Sequence, residues 1–412
     1  MIYQLIFSLL IAVLIPSFFF QQKSFCIRIS AISLLSLIIF ISYTILKFGF
    51  FEQPIPIDIY SNCNYLENTI GPEDFAKVDS NSFLFSSNDN IQQWEIGGPN
   101  KTQNGHIYLL KMDKNLTSQY KLKLENFPQT IPFHPHGIYF RQEDQVLFVI
   151  NHPYIFETPG DRIEIFKFNE QNKTLIYLQS IYFGQQYNGI LNNLIVFDKG
   201  KLLVTQYLST TDPKEGRTGR NKFRELADIA EVLFELEYTY VLSCLWKEEY
   251  NQQIALPQCT VLKNTKGTIN NGITWDKEQN IVFVSDIGQS KINVYNLKKE
   301  DGNLEKTNEI QTLVQLDNIN FDEENKQIIG GGLFRMIDYV NFIQGSKQKG
   351  EVLQNMDIYW CGILEINYQK NLQKIIYSNK NSPIGCTIAF KGQNNTLFIG
   401  NFGDKGIYKC QS

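Results

Sequence analysis

The sequence lacks the features that mark several common functional classes. No basic patch stands out among its 38 basic and 42 acidic side chains, and the net charge is −4, which argues against nucleic-acid binding. The seven cysteines include no CxxC pair, so a zinc ribbon or a thioredoxin-type site is not expected. Proline and glycine are scattered as turn residues and form no linker between domains.

What the chain does contain favours β-structure. Aromatic residues make up 13% of the 412 residues, and Phe, Tyr, Ile and Val recur in short clusters. Side chains of these types fit the pleated, half-buried surface of a sheet. We therefore predict an all-β domain over residues 58–412.

The first fifty residues have a different composition from the rest of the chain. Residues 2–20 and 29–51 are two apolar runs, and the short segment between them contains Lys23 and Arg28. We predict that residues 1–51 form a hydrophobic membrane anchor of one or two transmembrane segments. Because Lys23 and Arg28 favour the cytoplasmic side, the large domain is then expected in a lumen or outside the cell. A signal peptide followed by a pro-segment is the alternative.

Candidate glycosylation sites suit that placement of the large domain. Four N-x-[ST] sequons begin at Asn100, Asn115, Asn172 and Asn394.

A repeat runs through the large domain. Each unit begins with polar or small residues, continues as an apolar strand and a polar turn, and ends in a second apolar strand. Six such starts occur, at residues 73–75, 136–139, 192–195, 271–274, 318–321 and 385–388. Their spacing is that of propeller blades, so the sequence predicts a six-bladed β-propeller whose first strands line a central channel.

Oxygen donors recur at the starts of these units. They are Glu73, Asn192, Asn271, Asp317 and Asn318. Five protein oxygens with flexible geometry favour Ca²⁺ over Mg²⁺, so the set predicts a calcium site in the channel. The alternative explanation is that Asn and Asp begin strands because they favour turns.

Two histidine motifs give the chain a specific resemblance. The segments Phe133–Ile138 (FHPHGI) and Val149–Pro153 (VINHP) resemble the paraoxonase/arylesterase family, where similar elements carry two active-site histidines. The similarity continues in order at residues 62–64, 73–74, 191–193, 271–273, 291–295, 316–319 and 407–410.

The resemblance implies two calcium ions. The catalytic ion would be held by the five oxygen donors named above. A second, structural ion would use Asp74, the backbone carbonyl of Ile138 and Asn193. The family has Asp where this chain has Asn193, so the second site has one carboxylate fewer and is expected to bind its ion more weakly.

The resemblance also implies hydrolysis of a small ester or lactone. His136 would act as general base, and His152 behind it would set the tautomer of its ring. Asp317 is the alternative base or nucleophile. His134 replaces a family Asn, and a zinc pair of His134 and His136 is disfavoured because no third ligand is evident.

Further expectations follow from the resemblance. It implies a disulfide between Cys63 and Cys410, and Tyr207 and Leu333 stand where the family has pocket histidines. A basic insertion occupies residues 211–224. The 3–4 spacing of apolar residues predicts a surface amphipathic helix over residues 223–246, which in the family lies over the active site.

Two functions remain open from the sequence. The first is a membrane-anchored, calcium-dependent arylesterase or lactonase. The second is a catalytically inactive propeller that serves as a scaffold or accessory subunit of a membrane assembly. No particular protein partner is indicated.

Overall fold

The computed structural model describes residues 25–47, 49, 55–60, 62–88, 104–113, 116–153, 160–183, 187, 189–211, 222–250, 254–350, 361–379, 383, 385–403 and 405–412. The chain divides into two compact units, Met1–Gln53 and Pro54–Ser412. In the first unit, helix α1 spans Phe25–Lys47. The predicted run at residues 2–20 lies outside the described residues. Within the described residues, no helix is long and apolar enough to cross a membrane.

The second unit is an all-β propeller with six blades, as predicted. Two strands precede the first blade, namely β1 (Ile57–Asp58) and β2 (Asn64–Ile70). Blade 1 contains β3 (Pro72–Lys77), β4 (Ser82–Ser87), β5 (His106–Asp113) and β6 (Leu116–Lys121). After β7 (Lys123–Glu125), blade 2 contains β8 (Pro135–Arg141), β9 (Val146–Asn151), β10 (Arg162–Asn169) and β11 (Thr174–Tyr182).

The remaining blades follow in chain order. Blade 3 contains β12 (Ile190–Asp198), β13 (Lys201–Leu208), β14 (Thr239–Leu245) and β16 (Gln258–Gly267), while β15 (Ile254–Ala255) joins blade 2. Blade 4 contains β17 (Asn270–Asp276), β18 (Ile281–Asp286), β19 (Lys291–Lys298) and β20 (Asn303–Gln311). Blade 5 contains β21 (Gln315–Asp322), β22 (Gln327–Leu333), β23 (Cys361–Asn367) and β24 (Leu372–Asn379). Blade 6 contains β25 (Cys386–Lys391), β26 (Thr396–Asn401) and β27 (Lys405–Gln411).

Apolar packing between blades holds the ring together. Each of six buried clusters combines side chains of two neighbouring blades, and the sixth joins blade 6 to blade 1. Buried apolar residues of each blade thus contact the neighbouring blades on both sides of its sheet. Closing the ring buries the last exposed sheet face. This stabilises the fold, because burial of apolar area is the main favourable term in folding.

The two ends of the propeller meet in blade 6. Strand β2 supplies its outer strand and pairs antiparallel with β27. The predicted disulfide between Cys63 and Cys410 is present there. Two further disulfides were not predicted: Cys244–Cys259 joins opposite residues of β14 and β16, and Cys361–Cys386 joins blades 5 and 6.

The helices differ from the prediction. The expected helix over residues 223–246 is wrong in its extent, because α2 spans Lys222–Phe234 and the chain then enters β14. Glu231 of α2 is buried and accepts a hydrogen bond from Ser209 Oγ at 2.8 Å. A further helix that the sequence did not indicate, α3, spans Met336–Lys349.

The sequons and the basic insertion are only partly described. Asn172 and Asn394 lie exposed in turns, whereas Asn100 and Asn115 fall outside the described residues. Most of the basic insertion, residues 212–221, also falls outside them.

Candidate active site in the central channel

A β-bulge in each innermost strand builds the site. In blades 1 to 5, two residues of the first strand face a single residue of the second, and blade 6 has one extra residue at the same place. The bulged residues are 73–74, 136–137, 192–193, 271–272, 317–318 and 387. A bulge removes residues from the ladder and re-aims their side chains. The predicted site residues therefore come together because they lie at the same irregularity of all six blades.

Two bulge glycines let neighbouring inner strands approach closely. A Cβ on Gly137 would lie 2.2 Å from the backbone oxygen of Asn192, and a Cβ on Gly272 would lie 2.7 Å from Cα of Asn318. Any other residue would push the next inner strand away. The glycines of the HGI and NGI motifs thus set the channel's width at the site.

Hydroxyl groups of the second strands replace the hydrogen bonds that the bulges break. Ser86 Oγ accepts the N–H of Asp74 at 3.2 Å. Thr205 Oγ1 accepts the N–H of Asn193 at 3.0 Å. Ser285 Oγ accepts the N–H of Gly272 at 2.8 Å and donates to the backbone oxygen of Asp317, 2.6 Å away. Buried backbone groups are thereby satisfied, and adjacent blades are joined at the depth of the site.

The five residues predicted to hold the catalytic calcium line one channel. Side-chain oxygens of Asn192, Asn271 and Asp317 are buried there without a hydrogen-bond partner. A buried polar atom without a partner costs about 1–3 kcal/mol. Three such oxygens together fit a cation, because a hard metal ion takes oxygen ligands of this kind.

Glu73 and Asn318 complete this oxygen-lined wall. Both are buried, and the Asn318 amide donates to the backbone oxygen of Glu73 at 3.4 Å. Thr387 of blade 6 donates its hydroxyl to the same backbone oxygen at 2.7 Å. Thr387 lies at a predicted blade start but was not among the predicted site residues; its position in the repeat was the signal that could have found it.

The two predicted catalytic histidines are adjacent and buried. His136 Nδ1 lies 2.7 Å from His152 Nε2, and His136 Nε2 lies 2.5 Å from a carboxylate oxygen of Glu73. A protonated ring nitrogen and a carboxylate at that distance form a charge-assisted hydrogen bond. His152 Nδ1 in turn lies 2.8 Å from Oδ1 of Asp161, which is not among the predicted site residues.

The channel concentrates acidic groups in a poorly hydrated place. Burial raises the pKa of Asp317 well above its usual range, and the charge of Glu73 raises it further. Burial also raises the pKa of Asp74 to about 7, against the opposing effect of backbone N–H groups. Burial lowers the pKa of His136, but the Glu73 carboxylate overcomes this and leaves it raised. Clustered carboxylates of this kind are stabilised by a positive charge.

The residues of the predicted structural calcium fit an ion less well. The two carboxylate oxygens of Asp74 accept the N–H groups of Phe75 and Ile138, at 2.9 and 2.8 Å. Asn193 turns its amide nitrogen to Asn318 Oδ1 at 3.0 Å, while its oxygen accepts the N–H of Leu194 at 2.7 Å. In these positions Asn193 acts as a cross-link between inner strands.

Other predicted features lie at the edge of this cluster. The ring of Tyr207 is edge-on to that of His136, with 6.4 Å between centroids, and Leu333 is buried at the end of β22. His134 is buried, and its backbone N–H donates to Asn151 Oδ1 at 2.7 Å. Among the described residues, no group of three or more His, Cys, Asp or Glu side chains is arranged to hold a metal ion, so the candidate set depends on its amide oxygens.

Known proteins resemble this chain over the same region. An arylesterase family model matches residues 58–205, which include Glu73, both histidines and Asn192. Human serum paraoxonase/lactonase 3 is 24% identical over 351 residues, covering 84% of this chain and 88% of the relative.

Two further relatives extend the comparison. Serum paraoxonase/lactonase 3 of Oryctolagus cuniculus is 25% identical over 368 residues, covering 88% of this chain and 92% of the relative. Serum paraoxonase/arylesterase 1 of Mus musculus is 29% identical over 136 residues, covering 32% of this chain and 36% of the relative. With the motifs and the channel described above, these matches show that the chain is similar to proteins of the paraoxonase/arylesterase family.

Proposed function

We propose that the protein is a calcium-dependent hydrolase of carboxylic esters or lactones. The observation that carries this proposal is the pairing of two features in one channel. Three buried oxygens without partners, from Asn192, Asn271 and Asp317, face a cluster that also contains the His136–His152 pair. A Lewis acid next to a general base is one arrangement that supports ester hydrolysis by water.

The oxygen set is the place for the calcium. The calcium ion would be held by Glu73, Asn192, Asn271, Asp317 and Asn318, and the two carboxylates would offset its charge. When bound, calcium polarises the carbonyl of the substrate and stabilises the oxyanion that develops on it. We propose one ion of this kind per chain, because Asp74 and Asn193 are engaged with protein groups.

His136 is the proposed general base. Its Nδ1 faces His152, so Nε2 is the nitrogen that takes the proton from the attacking water. Once protonated, the ring is stabilised by the Glu73 carboxylate 2.5 Å from Nε2. Holding the ring between two partners keeps the base nitrogen aimed into the channel, which contributes to the rate through orientation.

The domain is proposed to face a lumen or the cell exterior, held to the membrane by residues 1–51. Three disulfides support an oxidising compartment, because such bonds are rare where thiols are kept reduced. The exposed sequons at Asn172 and Asn394 are accessible to glycosylation in that location. A shift in the size of the native protein after endoglycosidase treatment would support this placement. Finding neither Asn172 nor Asn394 glycosylated would contradict it.

The test of the activity uses the full chain purified from its native membrane. Hydrolysis of an aryl ester and of an aliphatic lactone is followed for the wild type, for His136→Gln and for His106→Gln. His106 lies in β5 of blade 1 beside Lys121, outside the channel site, and is a matched control. We expect kcat of His136→Gln to fall roughly 10²–10⁴-fold, the usual effect of losing a general base.

The controls make the outcome decisive. His106→Gln should keep the wild-type rate. Wild-type turnover in a folded His136→Gln protein would remove His136 from the mechanism and leave Asp317 as the base. A wild-type protein that hydrolyses neither substrate class with calcium present would contradict the proposed function.

A further inference from the structure

The carboxylate of Asp161 joins two parts of the site. Asp161 directly precedes β10 of blade 2 and is partly buried. Its Oδ1 lies 2.8 Å from His152 Nδ1, and its Oδ2 accepts the backbone N–H of Leu191 at 2.7 Å. Leu191 lies in β12 of blade 3, next to the candidate calcium ligand Asn192. One side chain therefore connects the histidine pair with the strand that carries the oxygen donors.

We propose that Asp161 is a positioning residue that holds the proton of His152 on Nδ1 and thereby fixes the hydrogen bond between the two histidines. The catalytic consequence rests on the proposed function, whereas the proton positions can be measured without any activity. No contact between Asp161 and the substrate is implied; Asp161 acts through His152.

The proton positions follow from donor and acceptor chemistry. An ionised carboxylate only accepts hydrogen bonds, so His152 must carry its proton on Nδ1. In a neutral ring, His152 Nε2 is then an acceptor, and it receives the Nδ1 proton of His136 at 2.7 Å. The other ring nitrogen of His136, Nε2, faces the Glu73 carboxylate 2.5 Å away. That nitrogen is the one the proposed mechanism needs as base.

Replacing the carboxylate by an amide predicts a specific reversal. In Asp161→Asn, one atom of the side chain accepts and the other donates. The backbone N–H of Leu191 can only donate, so it takes the amide oxygen. The amide N–H₂ then faces His152 Nδ1, which becomes an acceptor, and the proton of His152 moves to Nε2. Two donors would then face each other between the rings, so the hydrogen bond from His136 Nδ1 to His152 Nε2 is reversed or lost.

The experiment compares wild type, Asp161→Asn and Asp276→Asn as full chains. Asp276 is a matched control because it is also buried and its carboxylate accepts the N–H of Glu278 and the hydroxyl of Tyr368, at 3.0 and 3.1 Å. It ends β17, at the opposite end from the bulge. Nitrogen NMR of ¹⁵N-histidine reports which ring nitrogens carry protons, and His152→Gln assigns the His152 signals among the four histidines of the chain.

We expect the Nδ1 and Nε2 signals of His152 to exchange protonation state in Asp161→Asn and to stay as in wild type in Asp276→Asn. In parallel, kcat for ester or lactone should fall roughly 10²-fold in Asp161→Asn with KM within about threefold, because the histidine base loses the hydrogen bond that orients its ring.

Two results would overturn the proposal. Unchanged His152 signals in Asp161→Asn contradict the proton assignment, whatever the activity. Exchanged signals with wild-type kcat contradict its catalytic consequence. An inactive wild type with exchanged signals in the variant refutes the proposed function while leaving the proton assignment standing.

Discussion

Breaking the Cys63–Cys410 disulfide should reduce stability more than breaking either other disulfide. It closes a loop with a sequence separation of 347 residues, because it joins the strand before blade 1 to the last strand of blade 6. A crosslink stabilises mainly by restricting the unfolded chain, and this effect grows with the logarithm of loop length. Replacing both cysteines of a pair by alanine removes the bond without leaving a free thiol.

The loop lengths give the expected differences. The separations are 15 for Cys244–Cys259 and 25 for Cys361–Cys386. By the 3/2 RT ln n dependence, removing the long-range bond should lower the free energy of unfolding by about 3 kcal/mol more than removing Cys244–Cys259. The excess over removing Cys361–Cys386 should be about 2 kcal/mol.

Equilibrium unfolding in guanidinium chloride, followed by near-ultraviolet circular dichroism, measures these differences for the three double variants. Equal losses in all three, or the largest loss for Cys244–Cys259, would refute closure of the ring as the source of the effect.

Other predictions concern the channel. Ser285→Ala should lower the free energy of unfolding by about 1–3 kcal/mol, because it leaves the buried N–H of Gly272 without its acceptor; thermal or chaotrope unfolding checks this, and no loss would contradict it. Asn193→Asp should allow the chain to bind a second calcium ion, because the substitution removes the amide donor and adds a charge beside Asp74. Metal analysis of the dialysed wild type and variant measures the number of bound ions, and one ion in both proteins would contradict this prediction.

The sequence predicted the fold because every blade repeats one local pattern. All six predicted starts fall at the inner strand of a blade, and the second apolar stretch of each unit is the next strand. The helix was extended too far because the apolar spacing of α2 runs on into β14, whose residues are mostly buried on both faces. A continuous apolar run does not distinguish helix from buried strand without tertiary context.

Features that depend on pairing between strands were not predictable. Cys244–Cys259 follows from the register of β14 on β16, which linear spacing does not reveal. The bulges are likewise a relation between two strands, so the oxygen donors could be named but not their geometry. Asp161 had no motif around it; only the folded chain brings it to His152 and Leu191.

Calcium titration of chelated protein, with ester or lactone turnover followed in the same samples, tests most directly whether the channel is a calcium-dependent hydrolytic site. We predict that one ion binds per chain, that turnover returns along the same saturation curve, and that Asn271→Ala loses both together, because it removes one of the buried oxygens. Full turnover in the chelated protein, or a wild type that binds no calcium, would contradict this account of the channel.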